Sequence, residues 1–154
     1  MRMLLIVLLL LAAAGCATHR VYQVPGPPQL APDKPAVVVS SAATAFNTTG
    51  ISHVTQIDLQ PNPDLATAFE RAVEPLVDSG TFRILSADAI VSTQLTRQTV
   101  ILDMLVDVDG RTYRTRQQHD GGAGFTGAGY RDQMAPLLSA AAKDIVGQMG
   151  ELRP

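Results

Sequence analysis

Residues 99–119 read TVILDMLVDVDGRTYRTRQQH, and no other segment constrains the architecture as tightly. Val100, Leu102, Met104, Val106 and Val108 place an apolar side chain at every second position, the period of a strand with one buried face. Asp109-Gly110 comes next, a pair suited to the two positive-φ positions of a type I′ turn. Arg111 to His119 then returns as a polar strand. A two-residue turn fixes the register, setting Val106 opposite Tyr113, Leu105 opposite Arg114, and Asp103 opposite Arg116. A slip of one residue would turn all five apolar side chains to water, so the pairing and the buried face are specified together.

Working outward, Thr81 to Leu85 reads as a short strand, and Ala89 to Thr96 alternates with Ala89, Val91, Thr93 and Leu95 on one face. Upstream of them lies a helix. Asn62 or Asp64 can cap it, Pro63 suits its first turn, and Leu65, Phe69, Ala72, Val73, Leu76 and Val77 share one face. Asp78-Ser79-Gly80 ends it, and Pro75 is expected to kink it by removing one backbone bond. Ala36 to Ser40 is β-branched and apolar, a strand, whereas residues 41–60 alternate weakly and fit an irregular strand or long loop. Downstream, Gly121 to Gly129 reads as a flexible loop. A helix from about Arg131 to Met149 completes the pattern, with Leu137, Leu138, Ala141, Ile145, Val146 and Met149 as its buried stripe. Strand, helix, grouped antiparallel strands, helix is the order of an α+β two-layer sandwich: a mostly antiparallel sheet with two helices on one face, over residues 36–154.

The chain of 154 residues is 46% hydrophobic, enough for one ordinary core. Its formal charge of −2 and pI near 5.8 argue against nucleic acid as a partner. One cysteine, Cys16, excludes an internal disulfide and any CxxC site. Arg2 precedes an apolar run from Met3 to Ala14, which as a helix would rise about 18 Å, short of the roughly 30 Å hydrocarbon core. That is a signal-peptide pattern and not a membrane span. Ala13, Ala14 and Gly15 lead directly into Cys16, which resembles a bacterial lipobox. The resemblance implies cleavage before Cys16 and acylation of Cys16, with residues 1–15 as the removed signal peptide. Ala17, where an Asp would resemble an inner-membrane retention signal, favours the periplasmic face of the outer membrane. Loss of residues 1–15 takes Arg2 with it and leaves a net charge of −3. Five of the ten prolines fall between residues 17 and 35, so residues 16–35 are expected to be a Pro-rich tether, about 60 Å long if extended as polyproline II, set against a segment laid along the domain surface.

Candidate chemistry is sparse. Gly122-Ala-Gly124-Phe-Thr-Gly127 matches G-x-G-x-x-G, but the strand before it is polar and only one helix comes after, leaving no strand to carry a ribose-binding acid. Asp107-Val-Asp109-Gly110 opens like a calcium loop, yet the twelfth position is Gln118, not Glu. The three histidines, His19, His53 and His119, have no zinc spacing. His119 and Asp120 are adjacent on a strand and so point to opposite faces, a poor arrangement for a catalytic base and its orienting acid. No catalytic, cofactor or metal site is therefore expected. Arg111, Arg114 and Arg116 concentrate positive charge on the hairpin and form the candidate contact surface, set against a solvated face in which Arg116 pairs with Asp103.

The layout of residues 11–149 resembles the YajG-type lipoproteins of proteobacterial envelopes. The shared features are the lipobox, the Pro-rich start, a helix ending near Ser79-Gly80, the polar strand Arg111-Thr-Tyr-Arg-Thr, a Gly-containing loop and a C-terminal helix. Ser79-Gly80-Thr81-Phe82-Arg83 is also similar, more distantly, to auxiliary lipoproteins of envelope transporters. The resemblance implies a non-enzymatic accessory or binding protein, held on the membrane by acyl chains on Cys16 and partnered by an envelope protein complex. A small-ligand or lipid carrier is the alternative, and a weak hydrolase using His119 a more distant one.

Overall fold

The computed structural model describes residues 18–29, 37–49, 51–52, 55–94, 97–122 and 128–151. The expected signal peptide (residues 1–15), Cys16, His53, and Gly124 with Gly127 lie outside the described residues.

The 99–119 segment folds as its period demands. Strand β7 (Arg97–Val108) and strand β8 (Arg111–Gly122) are antiparallel, with Val106 opposite Tyr113, Leu105 opposite Arg114, and Asp103 opposite Arg116. Asp109 and Gly110 take φ values of 49° and 84°, the two positive angles of a type I′ turn. Val100, Leu102, Met104, Val106 and Val108 are all buried.

Strand β6 (Gly80–Gln94) lies against β7 along its whole length and corrects the expectation of two separate strands. A register shift between Ile84 and Ser86 explains the misreading. Before it, the inward residues are Phe82 and Ile84; after it they are Ala87, Ala89 and Val91. A bulge adds one residue and reverses the parity, so one strand carries two out-of-phase patterns.

Strands β2 (Val37–Ser41) and β3 (Asn47–Thr49) pair in parallel with the first and second halves of β6. The result is one five-stranded sheet with the path β2-β6-β7-β8, β3 lying beside β6. A three-stranded sheet adjoins it, ordered β1-β5-β4. Its strands are β1 (Thr18–Pro25), β4 (Ile51–Ser52) and β5 (Thr55–Asn62).

Strand β1 corrects the expected tether, because Thr18–Pro25 already belongs to the folded body, ahead of residue 36. All five prolines of the segment fall at Pro25 or beyond, and residues 18–24 (THRVYQV) keep every backbone donor. They pair in parallel with β5, and Val24 is only 1% exposed.

Helix α1 (Leu65–Val73) is capped by Asp64, whose carboxylate accepts from the Thr67 backbone N–H at 3.0 Å. Pro63 sits before the cap and not in the first turn. Pro75 does not kink the helix; it lies past its end. With no N–H at Pro75, Leu76 donates instead to the Val73 carbonyl, and the chain turns into β6. Helix α2 (Ala128–Glu151) instead passes through Pro136. Leu137, Leu138, Ala141, Ala142 and Ile145, all buried beyond that proline, hold the helix on course. The helix also starts earlier than expected, and β8 runs to Gly122, so the Gly121–Gly129 stretch is shorter as a connection than its composition suggested.

Both helices cover one face of the large sheet, giving the α+β sandwich. Phe69 of α1 meets Phe82 of β6 edge-on, ring centroids 6.4 Å apart at 64°. Both rings are fully buried.

Candidate contact surface on the hairpin

Inward packing of the even residues of β7 turns its odd residues outward, together with the even residues of β8. Arg114 and Arg116 therefore share the open face of the sheet with Asp103, while Arg111 stands beside the turn. The Asp103 carboxylate is held in a fork: Arg114 Nε donates to Oδ1 at 2.9 Å and Nη2 to Oδ2 at 2.7 Å. Arg116, directly opposite in the ladder, is the looser partner at 3.6 Å. The Asp103 side chain is 12% exposed, against 69% for Arg114 and 58% for Arg116. Arg114's hydrogen bonds, with the charges of Arg114 and Arg116, hold the Asp103 carboxyl below its ordinary range, although burial opposes this. Reciprocally, Asp103 raises the Arg114 guanidinium.

This cluster answers a problem in the sheet itself. Asp103 lies directly opposite Asp88 of β6, a like-charge pair that is unfavourable alone. Asn47 of β3 donates to Asp88 Oδ1 at 2.7 Å, and Arg114 covers Asp103, so both carboxylates are satisfied. The side chain of Arg111 is exposed and makes no hydrogen bond or ion pair among the described residues.

At the other end of the hairpin, Asp120 accepts from Thr99 Oγ1 at 2.7 Å and pairs with Arg97 at 3.7 Å. The Thr99 hydrogen bond is the main reason its carboxyl is lowered. Its oxygens are thus committed to Thr99, Gln118 and Arg97. The turn aspartates are committed too: Asp107 Oδ1 accepts from Gly110 N, and Asp109 Oδ1 from Thr81 N, each at 3.2 Å. Among the described residues no group of three His, Cys, Asp or Glu side chains could hold a metal, and no helix is long and apolar enough to cross a membrane.

Sequence reasoning missed the seam that ties β8 to α2. Thr115, 1% exposed, donates to Asp144 Oδ2 at 2.6 Å, and Gln117 Nε2 reaches the same oxygen at 3.1 Å. Gln148 Nε2 caps the Arg114 carbonyl at 3.1 Å. The available signal was the inward parity of Thr115 and Gln117 beside a helix carrying Asp144 next to Ile145. It also missed two buried amides, Gln98 and Gln133. A Cβ at Gly121 would collide with the Gln133 amide nitrogen, and one at Gly129 with the Gln98 amide oxygen. These two glycines serve close approach of side-chain amides.

A cleft of about 380 Å³ lies between the segment after α1 (Leu76, Val77, Asp78, Ser79) and the end of α2 (Val146, Met149, Gly150).

No protein-family model matches the chain, and no curated protein matches it either. Among solved structures the chain is similar to one titled "Crystal structure of uncharacterized protein", with a TM-score of 0.37 and 8% identity over 86% of this chain and 92% of that one.

Proposed function

We propose that this chain is a lipid-anchored periplasmic protein of the cell envelope, acting without catalysis as an accessory or binding subunit of an envelope complex. The observation that carries the reading is the N-terminal apolar run from Met3 to Ala14, too short to span a bilayer and leading through Gly15 directly into Cys16. Two or three acyl chains on Cys16 supply the anchor, since each buried CH₂ contributes about 0.8 kcal/mol and one chain alone binds only marginally. The layout shared with YajG-type lipoproteins supports the same reading, and Ala17 favours the outer membrane. The contact surface is the hairpin face with Arg111, Arg114 and Arg116.

Growth with an alkyne fatty acid tests the anchor. Label on the wild-type chain and none on Cys16→Ser is the expected result, and equal labelling or none on either refutes it. Crosslinking in cells, with mass spectrometry of the captured proteins, tests the accessory role. One envelope complex recovered from wild type, and lost with Arg111→Glu and Arg116→Glu, supports it; recovery of abundant outer-membrane proteins alone counts against it.

The cleft between Leu76 and Met149 favours a second reading, a carrier of a small ligand or lipid, since its volume falls within the range of small-molecule sites. Native mass spectrometry of the purified protein decides it: a bound lipid displaced by Val146→Trp supports a carrier.

A further inference from the structure

If Cys16 is acylated, only Ala17 stands between it and the first residue of β1. Two residues reach about 7 Å at most, so the start of β1 is held against the bilayer with no spacer.

The pairing shows which end of the domain this is. Thr18 pairs with Thr55, and Thr55 with Ser52 of β4. β4 packs on β6, two residues after Thr49 of β3 pairs with Ile90 while running toward Gln94. That is the end where β6 turns into β7, Gln94 facing Arg97, and where the β7–β8 hairpin is open, Arg97 facing Gly122. Helix α2 begins there as well, with Gly129 against Gln98. The opposite end holds Gly80, the Asp109–Gly110 turn and Arg111. Twelve residues of β7 separate the two ends, about 40 Å of strand.

Charge is distributed along this axis. The β1 end presents Arg20, Arg97 and Arg131 with Asp120 and Asp132 as the acids beside them, and Arg97 and Arg131 already offset those two. The far end carries Asp78, Asp107 and Asp109 with Arg83 and Arg111. An anionic headgroup layer attracts the first end chiefly through Arg20, by about 1 kcal/mol for a cation near the surface, with Arg97 adding less because Asp120 stands beside it. It does not attract the second end, whose three acids outnumber its two arginines.

Resting on the lipoprotein reading above, we infer that the domain stands on an anionic phospholipid surface through the end where β1 begins, with Arg20 and Arg97 against the headgroups. The hairpin, and not a proline tether, is then the spacer. It holds the Asp109–Gly110 turn and Arg111 about 40 Å from the bilayer.

The test uses the acylated full-length mature protein in vesicles of phosphatidylethanolamine and phosphatidylglycerol carrying a headgroup-linked acceptor dye. A donor is placed at His119→Cys or at Arg111→Cys, Cys16 being blocked by its thioether. Energy transfer several-fold stronger from position 119 than from 111 is expected, with the difference reduced when Arg20→Glu and Arg97→Glu are added. Equal transfer from the two positions, stronger transfer from 111, or a difference insensitive to the charge reversals overturns the inference. Failure of the unlabelled wild-type chain to float with the vesicles refutes the anchor itself, which is a different result.

Discussion

Gly110→Ala and Gly147→Ala are one chemical change made at two sites where the added methyl meets nothing within 4 Å. Packing therefore drops out of the comparison, and backbone conformation alone sets the two effects. Gly110 is the second residue of the hairpin turn at φ 84°. An L-residue forced into that left-handed region costs about 1–2 kcal/mol. Gly147 lies on the exposed side of α2, where alanine is better than glycine by about 0.5–1 kcal/mol because the unfolded chain loses less freedom. The two variants should thus differ by about 1.5–3 kcal/mol, more than tenfold in the unfolding equilibrium constant, with wild type between them. Urea unfolding of the mature-length Cys16→Ser protein measures this, monitored by far-UV circular dichroism because the chain has no Trp. The slopes should match wild type, with only the midpoints moving. A Gly110→Ala midpoint at or above wild type, or a Gly147→Ala midpoint below it, refutes the argument that dihedral preference governs both positions.

Phe69→Ala empties a fully buried site and should cost about 3–5 kcal/mol in the same assay, and a double-mutant cycle with Phe82→Leu should return a coupling of about 0.5–1.5 kcal/mol for the edge-on pair. Asp103 has a lowered carboxyl in the folded state, so its contribution is present above the unfolded value near 3.8 and is lost as pH falls through the folded value. Stability curves from pH 6 to pH 2 should therefore fall less steeply for Asp103→Asn than for wild type, by no more than about 1 kcal/mol because the partner guanidiniums face solvent. Gly129→Ala drives a methyl into the Gln98 amide oxygen and should cost about 1–3 kcal/mol, with hydrogen exchange accelerated at Gln98 and Gly121 before the Asp109 turn; uniform acceleration across β7 would show that the amide contact is not local.

How much of the fold was legible in the sequence depended on how local its causes are. The hairpin was readable to the residue because its register is set by two turn positions and its buried face by an uninterrupted period of two. The buried stripe of α2 was readable for the same reason with the helical period. Readability failed where a non-local cause intervened. In β6 the bulge at Leu85 reverses the inward parity, and no local rule distinguishes one bulged strand from two short ones until β7 is seen running beside both. Pro75 and Pro136 carry the same local instruction, yet α1 stops before one and α2 continues past the other. The difference lies in the residues on the C-terminal side of each proline: Leu76 and Val77 are only partly buried, whereas five fully packed residues come after Pro136. In β1 the error was one of averaging. The prolines at 25, 27, 28, 32 and 35 coloured a window in which the seven residues 18–24 contain none.

The arginine face shows the same limit and bears on what it can recognise. Residue type and register predicted Arg116 across from Asp103, and the ladder has that pairing. The stronger bond goes diagonally to Arg114, because a guanidinium on a long stem reaches a diagonal neighbour and only Arg114 presents both nitrogens to both oxygens. One carboxylate thus occupies most of two arginines, and Asn47 and Arg114 together quiet the opposed Asp88 and Asp103. What remains is a patterned surface of alternating charge, with Arg111 as its uncommitted cation beside the turn. A polyphosphate or a lipid headgroup layer would select for unopposed positive charge, which this face lacks. A protein surface with its own fixed pattern of charges gains specificity from such alternation, since a mismatched register sets like charges together. On the proposed seating the two demands separate along the long axis: cations near the start of β1 meet lipid, and the patterned hairpin, lifted by its own length, meets protein.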